Sequence, residues 1–416
     1  MKEIKKIVRK AIPDSVALQL KKIVNAANNQ KMLIKKSQTE PYKKGYYPSG
    51  INLIGDIKAE TGLGQSMRIL ANIMKNGNIP FDIKQTNLHG SLKHNDDTWE
   101  HKITDEIRYN INVIHWIPET WAADYKESDE TLLNYRYNIA YWLWELEEFP
   151  DRWLPCIQTV NEIWTPSEFI SNSIRKKTDK PVVTVPYVIE MQKENYLVRK
   201  YFSLPEDKIL FLTMYDFISV SERKNPGAVI DSYIKAFPAE NKAVGIVIKV
   251  NHGEAKKLER LREKLKAYKN VYFITNNLTR LEVDSLLYAC DVLISLHRSE
   301  GFGLPLAEAM ALGKPVISTN WSAPTEFMNE ETACLVDYKL IKLEKTIGPY
   351  EKGNYWADAD IEHAAYYMKK LWEDRSYRES IGQNARSHIS RHLTYEHTAG
   401  IIKSRLKEIY EKDSIC

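Results

Sequence analysis

The chain contains little cysteine and no long apolar run. Its 416 residues include four cysteines, which are widely scattered and form no Cys-x-x-Cys pair. This spacing argues against a zinc knuckle and against a disulfide framework, and it fits a reducing compartment. The longest strongly apolar stretches, such as residues 139–144, are far shorter than the roughly 20 residues that a membrane-spanning helix needs. We therefore expect a cytoplasmic protein without a transmembrane segment.

A strong net charge is also lacking. The formal net charge of +4 is too small to indicate a nucleic-acid partner, and we expect none. The charge is nevertheless uneven, because five basic residues lie within residues 1–10, beside apolar residues at helical spacing. This pattern predicts a short basic amphipathic helix within a basic N-terminal extension, residues 1–45. The extension either contacts an anionic membrane surface, at the inner face of the plasma membrane, or is a solvated segment docked on the protein body.

Strand and helix patterns alternate from about residue 46 onwards, which is typical of parallel sheets with crossover helices. The apolar runs fall in two series, which predict strands at 51–54, 81–83, 111–115, 139–143, 162–164 and 182–185, and then at 209–213, 244–249, 271–274, 292–295 and 315–318. We predict an α/β protein of two Rossmann-like domains, residues 46–190 and 191–390, which face each other across a ligand cleft. Residues 391–416 are predicted to form a helix that packs back on the first domain.

Residues 295–318 carry the most informative pattern. A predicted strand is followed by a loop that holds Glu300, Gly301 and Gly303, and then by a proline at the first position of a predicted helix. Free backbone amides at such a helix start favour an anion, and the glycines allow a phosphate or a sugar to approach the backbone closely. Glu308, near one turn into the helix, is placed to accept hydrogen bonds from two ribose hydroxyls. The pattern therefore predicts an anion site beside a sugar site.

The same segment resembles the signature of the family-4 retaining glycosyltransferases, which have the GT-B fold. Seven residues separate the two glutamates within the run SEGFGLPLAEAMALGKPV. In that family the first glutamate and the following amides meet the donor sugar and its diphosphate, and the second glutamate holds the ribose. The resemblance implies donor contacts, with a catalytic role for the first residue, from Glu300, Gly301, Phe302, Gly303, Leu304 and Glu308. An ordinary strand-loop-helix turn with solvated acids is the competing interpretation.

A second run, residues 211–226, resembles the part of the family that supplies cations to the donor phosphates. Lys224 occupies the lysine position. The usual arginine five residues earlier is replaced by Ser219, and we expect Arg223 to substitute for it as a catalytic cation together with Lys224. Two cations near a departing diphosphate would stabilise its charge. Lys249, at the end of a predicted strand, is a third candidate cation, and solvated surface charge is the alternative for all three.

Three features of the first domain complete the predicted site. Gly62 and Gly64 lie between a strand and a helix and resemble the family's glycine loop opposite the donor phosphates. Trp144 and Glu145 stand where the family often has a histidine near the reacting carbon, and an aromatic face with a carboxylate suits sugar recognition. His115, at the end of a predicted strand, is a candidate replacement for that histidine. Turn glycines, core packing and a locally satisfied histidine are the respective alternatives.

The resemblance implies a retaining transfer of a hexose-type sugar from a UDP- or GDP-sugar to a glycan. A lipid-linked glycan in cell-surface polysaccharide or glycoconjugate synthesis is the leading acceptor. In the family the leaving diphosphate is thought to accept the acceptor's proton, so the protein acts by positioning and electrostatics, and no metal or other cofactor is expected. Asp358 and Asp360 superficially resemble an Asp-x-Asp metal motif, but their place before a predicted helix favours helix capping.

Three other functions stay open at this stage. A glycoside hydrolase would need Glu300 and Glu308 as its carboxylate pair, but on one helix they would be about 12 Å apart, beyond the roughly 5 to 9.5 Å that such pairs use. A non-catalytic subunit that binds a nucleotide sugar or a glycan would explain the missing arginine and histidine, and it would bind donor without turnover. A nucleotide-sugar epimerase would convert donor with no acceptor present.

Glu308 allows the first test of the predicted site. We expect the protein to bind one of UDP, GDP or their common sugar conjugates selectively, and Glu308→Ala to weaken that binding because the ribose loses its acceptor. Titration calorimetry on both proteins measures the change. An unchanged affinity would remove the ribose role of Glu308.

Overall fold

The computed structural model describes residues 14–86, 94–191, 195–251, 255–411 and 414–415. The amphipathic helix predicted within residues 1–10 lies outside these ranges. Among the helices inside them, none combines the length and the apolar character that crossing a bilayer requires.

The first domain is a parallel sheet covered by helices. Its helices are α1 (Asp14–Ser37), α2 (Gly62–Asn76), α3 (Pro118–Glu127), α4 (Leu154–Ile157) and α5 (Glu168–Arg175). Its strands are β1 (Tyr42–Lys43), β2 (Ile51–Gly55), β3 (Phe81–Gln85), β4 (Ile111–Ile114), β5 (Tyr137–Tyr141), β6 (Glu162–Thr165) and β7 (Val182–Thr184). Strands β2 to β7 form one sheet in the order β3-β2-β4-β5-β6-β7. The strand order reverses between β2 and β4, and such a reversal opens a crevice at the carboxyl edge of the sheet.

The second domain repeats this plan. Its helices are α6 (Ser221–Lys224), α7 (Pro226–Ala236), α8 (Ala255–Lys264), α9 (Arg280–Ala289), α10 (Leu304–Ala311), α11 (Ile361–Glu373) and α12 (Arg375–His392). Its strands are β8 (Ile209–Asp216), β9 (Val244–Asn251), β10 (Val271–Ile274), β11 (Val292–Ser295), β12 (Val316–Thr319) and β13 (Cys334–Val336). They form a parallel sheet in the order β10-β9-β8-β11-β12-β13, which is the Rossmann order, with the reversal between β8 and β11.

A small antiparallel hairpin follows the second sheet without joining it. Strands β14 (Tyr338–Lys342) and β15 (Tyr355–Ala359) pair only with each other among the described strands. Residues 343–354 connect them and form the tip of this hairpin. The hairpin was not predicted from the sequence, because β14 is exposed almost throughout, β15 mixes exposed and buried residues, and both lack the continuous apolar run of a central strand.

Burial and a polar ladder fix the register of the first sheet. Every residue of β2, β4 and β5 is buried, as expected for strands covered on both faces. Asn52, Asn112 and Asn138 stand side by side on these three strands, and their amides are joined by hydrogen bonds of 2.9 Å and 2.7 Å. Such a buried network is satisfied in one strand register only, because a slip would leave its donors and acceptors without partners.

The first and the last described helix both pack on the first domain. Helix α1 lies along α3, where Lys126 donates to Asn28 at 3.0 Å and Met32 is buried. A final helix, α13 (Tyr395–Glu411), lies against α2 so closely that a Cβ on Gly77 would be 2.9 Å from the Cβ of Ala399. Strand β16 (Ser414–Ile415) then pairs with β1.

The predicted α/β architecture of two Rossmann-like domains is confirmed, and every predicted strand is present with ends that differ by at most three residues. The predicted boundary between residues 190 and 191 lies in the connection between β7 and β8. It stays a prediction, as do the other predicted domain limits.

The contact between α13 and the first sheet includes a buried ion pair, which gives a stability prediction. Arg405 donates to both carboxylate oxygens of Glu162, at 2.8 Å and 2.7 Å, and the Glu162 side chain is fully buried. Tyr137 and Trp164 donate to the same carboxylate. Arg405→Ala leaves this charge without its cation, and we expect a loss of about 3 kcal/mol in the free energy of unfolding.

Urea unfolding followed by tryptophan fluorescence measures this loss. Lys407→Ala, an exposed change on the same helix, serves as the control and should stay within about 0.5 kcal/mol of the wild type. An Arg405→Ala protein as stable as this control would show that the ion pair does not hold α13 in place.

Candidate active site

The carboxyl edges of the two sheets face one cavity of about 930 Å³. The second domain contributes the end of β9 and the loops that follow β8, β10 and β11, and the first domain contributes those that follow β2, β4 and β5. Both strand-order reversals therefore open into the same space, which is where open α/β sheets bind ligands.

A buried carboxylate between two cations lies at one end of this cavity. Glu300 follows β11 and its side chain forms ion pairs with Lys224 and with Arg223, whose Nη1 is 3.1 Å from Oε2. Burial alone would raise the pKa of Glu300, but the charges of Arg223 and Lys224 outweigh burial and hold that pKa far below its usual range. Glu300 is therefore ionised at any ordinary pH.

The two predicted cations have different positions. Lys224 lines the cavity together with Glu300. Arg223 is 3% exposed and also donates from Nη1 to the carbonyl oxygen of Ser299 at 2.6 Å. Within the described part of the chain, the cavity wall does not include Arg223. Arg223 thus forms its ion pair with Glu300 from a buried position, and Lys224 is the cation of the two that faces the cavity.

The glycine loop leads from Glu300 into helix α10. Gly303 has φ +91°, a left-handed conformation that favours glycine, and α10 begins at the next residue. Among the described residues, none accepts a hydrogen bond from the backbone amides of Gly301, Phe302, Gly303 or Leu304. All four residues line the cavity, so their amides are available to an anion.

Glu308 is held by an arginine that the sequence analysis missed. Its side chain is almost fully buried, and its Oε1 is 2.9 Å from Nη2 of Arg280. Arg280 is the first residue of α9, follows the capping residue Thr279, and also pairs with Asp284. The Thr-x-x-Glu capping box was the available signal, because it places the start of α9 and hence Arg280 at the carboxyl edge of the sheet.

Lys249 extends the row of cations along the second-domain wall. It is the sixth residue of β9, lines the cavity, and donates from Nζ to the carbonyl oxygen of Asn276 at 2.9 Å. Burial lowers the pKa of Lys249 to about 8, although Asp216 and Glu282 partly offset this effect. Its charge therefore begins to be lost just above neutral pH.

The two glycines of the first-domain loop differ in their surroundings. Gly62 lines the cavity, and a Cβ there would meet nothing within 4 Å. Gly64 lies outside the lining found among the described residues, and a Cβ there would be 2.0 Å from the carbonyl oxygen of Ala59. Gly64 is thus required by packing, whereas Gly62 is the member of the pair that faces the cleft.

Trp144 and Glu145 also line the cavity. The Trp144 ring packs edge-on against Trp153, with 4.9 Å between centroids. The two domains meet here, because a Cβ on Gly301 would be 2.5 Å from the carbonyl oxygen of Trp144.

The structure places His115 beneath the cavity wall. Its Nε2 is 2.6 Å from Oγ of Ser66, which in turn contacts the hydroxyl of Tyr187 at 2.5 Å. Burial lowers the pKa of His115 to about 4, so the ring is neutral. Of these three residues only Tyr187 is among the described residues that line the cavity. His115 is therefore buried next to the wall and contacts it through Ser66 and Tyr187.

The two walls differ in their charged groups. The second-domain wall carries the cations Lys224, Lys249 and Arg280 beside the acids Asp216, Glu300 and Glu308, whereas the described part of the first-domain wall carries one cation, Arg68, and the acids Glu60, Asp96, Asp97, Glu119 and Glu145. A phosphate is therefore favoured on the second domain, and a hydroxyl-rich ligand, which donates hydrogen bonds to carboxylates, is favoured on the first.

Asp358 and Asp360 lie outside this arrangement. Asp360 is the N-cap of α11 and accepts from the amides of Glu362 and His363 at 2.8 Å and 3.1 Å. Asp358 forms an ion pair with Arg298. The capping interpretation is thus confirmed for Asp360, whereas Asp358 does not cap the helix.

Parts of this chain resemble known glycosyltransferases. Residues 205–388 match the family described as Glycosyl transferases group 1. The Escherichia coli O-antigen biosynthesis glycosyltransferase WclY is 33% identical over 132 residues, which are 32% of this chain and 34% of WclY. The Escherichia coli serotype-specific mannosyltransferase WbdA is 30% identical over 135 residues, which are 32% of this chain and 16% of WbdA. The chain thus matches about a third or less of the length of these relatives.

Solved structures resemble the whole fold at low identity. Anabaena Alr3699/HepE in complex with UDP and glucose has a TM-score of 0.60 at 13% identity, covering 86% of this chain and all of that one. Sucrose-phosphate synthase (tll1590) from Thermosynechococcus elongatus has a TM-score of 0.62 at 14% identity, covering 87% of this chain and 99% of that one. The fold is therefore GT-B, as predicted.

Proposed function

We propose that this chain, whose second domain matches the glycosyl transferases group 1 family, is a glycosyltransferase of polysaccharide synthesis that takes its sugar from a nucleotide-sugar donor. One observation carries the proposal. Free amides, an ionised Glu300 with Lys224 and a Glu308–Arg280 pair meet along one wall of an interdomain cavity. The similarity to the glycosyltransferase WclY and the mannosyltransferase WbdA supports the reaction class, and the UDP and glucose bound by the structurally similar HepE support a nucleotide-sugar donor.

The donor lies along the start of helix α10 in this proposal. The diphosphate accepts hydrogen bonds from the amides of residues 301–304 and is neutralised by Lys224 and Lys249. The ribose hydroxyls donate to Glu308, which Arg280 holds in place, and the sugar lies beside Glu300. UDP and GDP are both compatible with this arrangement, because these contacts involve no atom of the base.

The proposed transfer retains the anomeric configuration and needs no metal. The departing diphosphate takes the proton of the acceptor hydroxyl on the same face of the sugar, and the developing phosphate charge is stabilised by Lys224, Lys249 and the loop amides. Arg223 contributes indirectly, because it keeps Glu300 ionised and fixed. The two lysines thus offset the family's usual arginine, whose position is occupied by Ser219.

The acceptor occupies the first-domain wall in this proposal. Its carboxylates suit the hydroxyls of a glycan, which we propose to be lipid-linked. Helix α1 exposes Ile23, Val24 and Ile34 and carries Lys35 and Lys36 in its last turn, which supports a peripheral contact of residues 1–45 with anionic lipid on the cytoplasmic side.

Donor binding and turnover separate this function from its alternatives. The test is calorimetry with UDP, GDP and their common sugar conjugates, followed by transfer to a lipid-linked glycan extract. Transfer with retention supports the proposal. Donor binding without turnover on any supplied acceptor would indicate a binding subunit, conversion of donor alone would indicate an epimerase, and sugar release from a plain oligosaccharide would indicate a hydrolase.

Glu300 is the residue whose neutralisation should affect turnover most. We expect Glu300→Gln to lower the rate of sugar transfer by at least about a hundredfold, because the reacting sugar loses a fixed charge at its side of the cavity. The affinity for the nucleotide without sugar should fall much less. Steady-state transfer assays and calorimetry measure both quantities.

Glu222→Gln is the matched control for this change. Glu222 belongs to the same short helix as Lys224, is exposed, and lies outside the cavity wall formed by described residues. It should keep full activity. Thermal melting must show that Glu300→Gln is folded, and a folded variant with unimpaired turnover would contradict the role proposed for Glu300.

The proposed phosphate contact of Lys249 makes donor binding pH-dependent. Its pKa of about 8 means that the lysine is charged at neutral pH and neutral at higher pH. If only the charged form binds diphosphate, affinity should fall about tenfold between about pH 7 and about pH 9. Lys249→Arg should lose this dependence, because a guanidinium stays charged.

Calorimetry with UDP at several pH values measures the effect. The arginine variant also corrects for titration of the base itself. Parallel pH profiles for the wild type and Lys249→Arg would show that Lys249 does not contact the diphosphate.

A further inference from the structure

The tip of the hairpin reaches across to the first domain. Arg152 donates from Nη2 to the carbonyl oxygen of Pro349 at 2.7 Å and pairs with Glu351 through Nη1. Gly348 has φ +57°, and a Cβ there would be 2.9 Å from Cγ2 of Val220. These contacts hold the tip between the two domains, where Pro349 and Tyr350 line the cavity.

Tyr350 is the residue of the tip that is packed most tightly. It is 3% exposed, and its ring centroid lies 5.5 Å from that of Trp144 and 5.7 Å from that of Trp356. Its hydroxyl donates to Oε2 of Glu145 at 3.2 Å. Burial raises the pKa of Tyr350 well above its ordinary value, so the phenol keeps its proton and acts as the donor in this bond.

A chain of contacts connects Tyr350 with Glu300. Glu145 accepts from Tyr350, and its other carboxylate oxygen is 3.7 Å from Nη2 of Arg223, which also contacts Glu300. The tip therefore borders the end of the cavity that holds Glu300. Glu308 lies one turn into α10 and pairs with Arg280 of α9, so the proposed ribose site uses residues that this chain of contacts does not include.

We infer that the hairpin tip is the specificity wall for the transferred sugar, with Tyr350 limiting the space beside the sugar ring and orienting Glu145 toward a sugar hydroxyl. This inference rests on the proposed function. An aromatic side chain that is fixed on three sides cannot move aside for a bulky ring substituent. The substrate class that fits is a nucleotide-linked hexose with free hydroxyls, and a 2-acetamido sugar is excluded.

The experiment measures the contribution of the sugar to binding separately from that of the nucleotide. Calorimetry with UDP, GDP, UDP-glucose, UDP-N-acetylglucosamine, UDP-galactose, UDP-N-acetylgalactosamine and GDP-mannose gives Kd values for wild type, Tyr350→Ala, Tyr350→Phe and Arg152→Ala. Dividing the Kd of each conjugate by that of its nucleotide isolates the contribution of the sugar end. Tyr355→Ala is the matched control, because Tyr355 lies in the same hairpin with 48% exposure and outside the described cavity wall.

The wild type should prefer the hexose to its acetamido counterpart, and Tyr350→Ala should reduce that preference by about tenfold or more, because one excluded group is worth that much in a close-fitting pocket. Tyr350→Phe should keep the preference but weaken the contribution of the sugar about threefold, because Glu145 loses one hydrogen bond. Arg152→Ala should also reduce the preference for the hexose, but by less than Tyr350→Ala does. Affinity for the free nucleotide should not change in any variant.

Other outcomes overturn the inference in distinguishable ways. A wild type that binds no nucleotide overturns the proposed function and this inference with it. A wild type that binds nucleotide and prefers acetamido sugars overturns the inference alone. The inference alone is also overturned if Tyr350→Phe and Arg152→Ala retain the wild-type sugar contributions while thermal melting shows that both are folded. It is likewise overturned if Tyr355→Ala changes the sugar contributions as strongly as the Tyr350 variants do. These two variants decide the question even if Tyr350→Ala does not fold.

Discussion

The geometry of the site depends on one buried carboxylate and its two cations. Glu300, Arg223 and Lys224 come from loops that follow β11 and β8, the two neighbouring strands at which the order of the second sheet reverses. Each charge is expensive to bury alone, so all three must be in place together. Arg223 is almost completely enclosed and Lys224 is left at the cavity. Two adjacent basic residues in the sequence thereby acquire different tasks: one holds the acid, and the other faces the ligand space.

The same loop joins the domains. The carbonyl oxygen of Gly301 accepts from Ser167 of the first domain at 2.7 Å, and the Ser299 hydroxyl donates to the carbonyl of Glu145. Glu326 accepts from the amides of Glu168 and Phe169, at 2.9 Å and 2.7 Å, and so caps a first-domain helix from the second domain. The amides proposed to bind the diphosphate are therefore in the segment that fixes the distance between the domains. A diphosphate bound as proposed would therefore contact the same loop that contacts the first domain.

The fold and the centre of the candidate site could be predicted from local sequence patterns, whereas the features that depend on long-range contacts could not. The strands were readable because buried parallel strands are continuous apolar runs, and the Glu300–Glu308 spacing was readable because loop and helix are consecutive in the chain. The burial of Arg223 could not be read in this way, since it depends on Ser299 and on Glu145 from the other domain. Tyr350 gave no signal either, because its partners Trp144 and Glu145 are about two hundred residues away in the sequence. His115 matched an expected residue type, but its hydrogen bond to Ser66 placed it behind the wall.

The cations of the second-domain wall differ in the groups that they contact, and this difference explains which of them has most charge to offer a phosphate. Lys224 and Arg280 each contact a carboxylate of their own domain, so an arriving diphosphate must share them with Glu300 and Glu308. Lys249 donates to the neutral oxygens of Asn251 and Asn276. These oxygens satisfy its hydrogen bonds but do not neutralise its charge, and burial lowers the pKa of Lys249 to about 8, as burial also lowers the pKa of Lys224. A bound diphosphate would compensate the charge of Lys249, which would raise the pKa of Lys249 and strengthen binding by the same free energy. A lysine at the end of a strand, which has an ordinary appearance in the sequence, thus becomes the main electrostatic anchor of the proposed donor site.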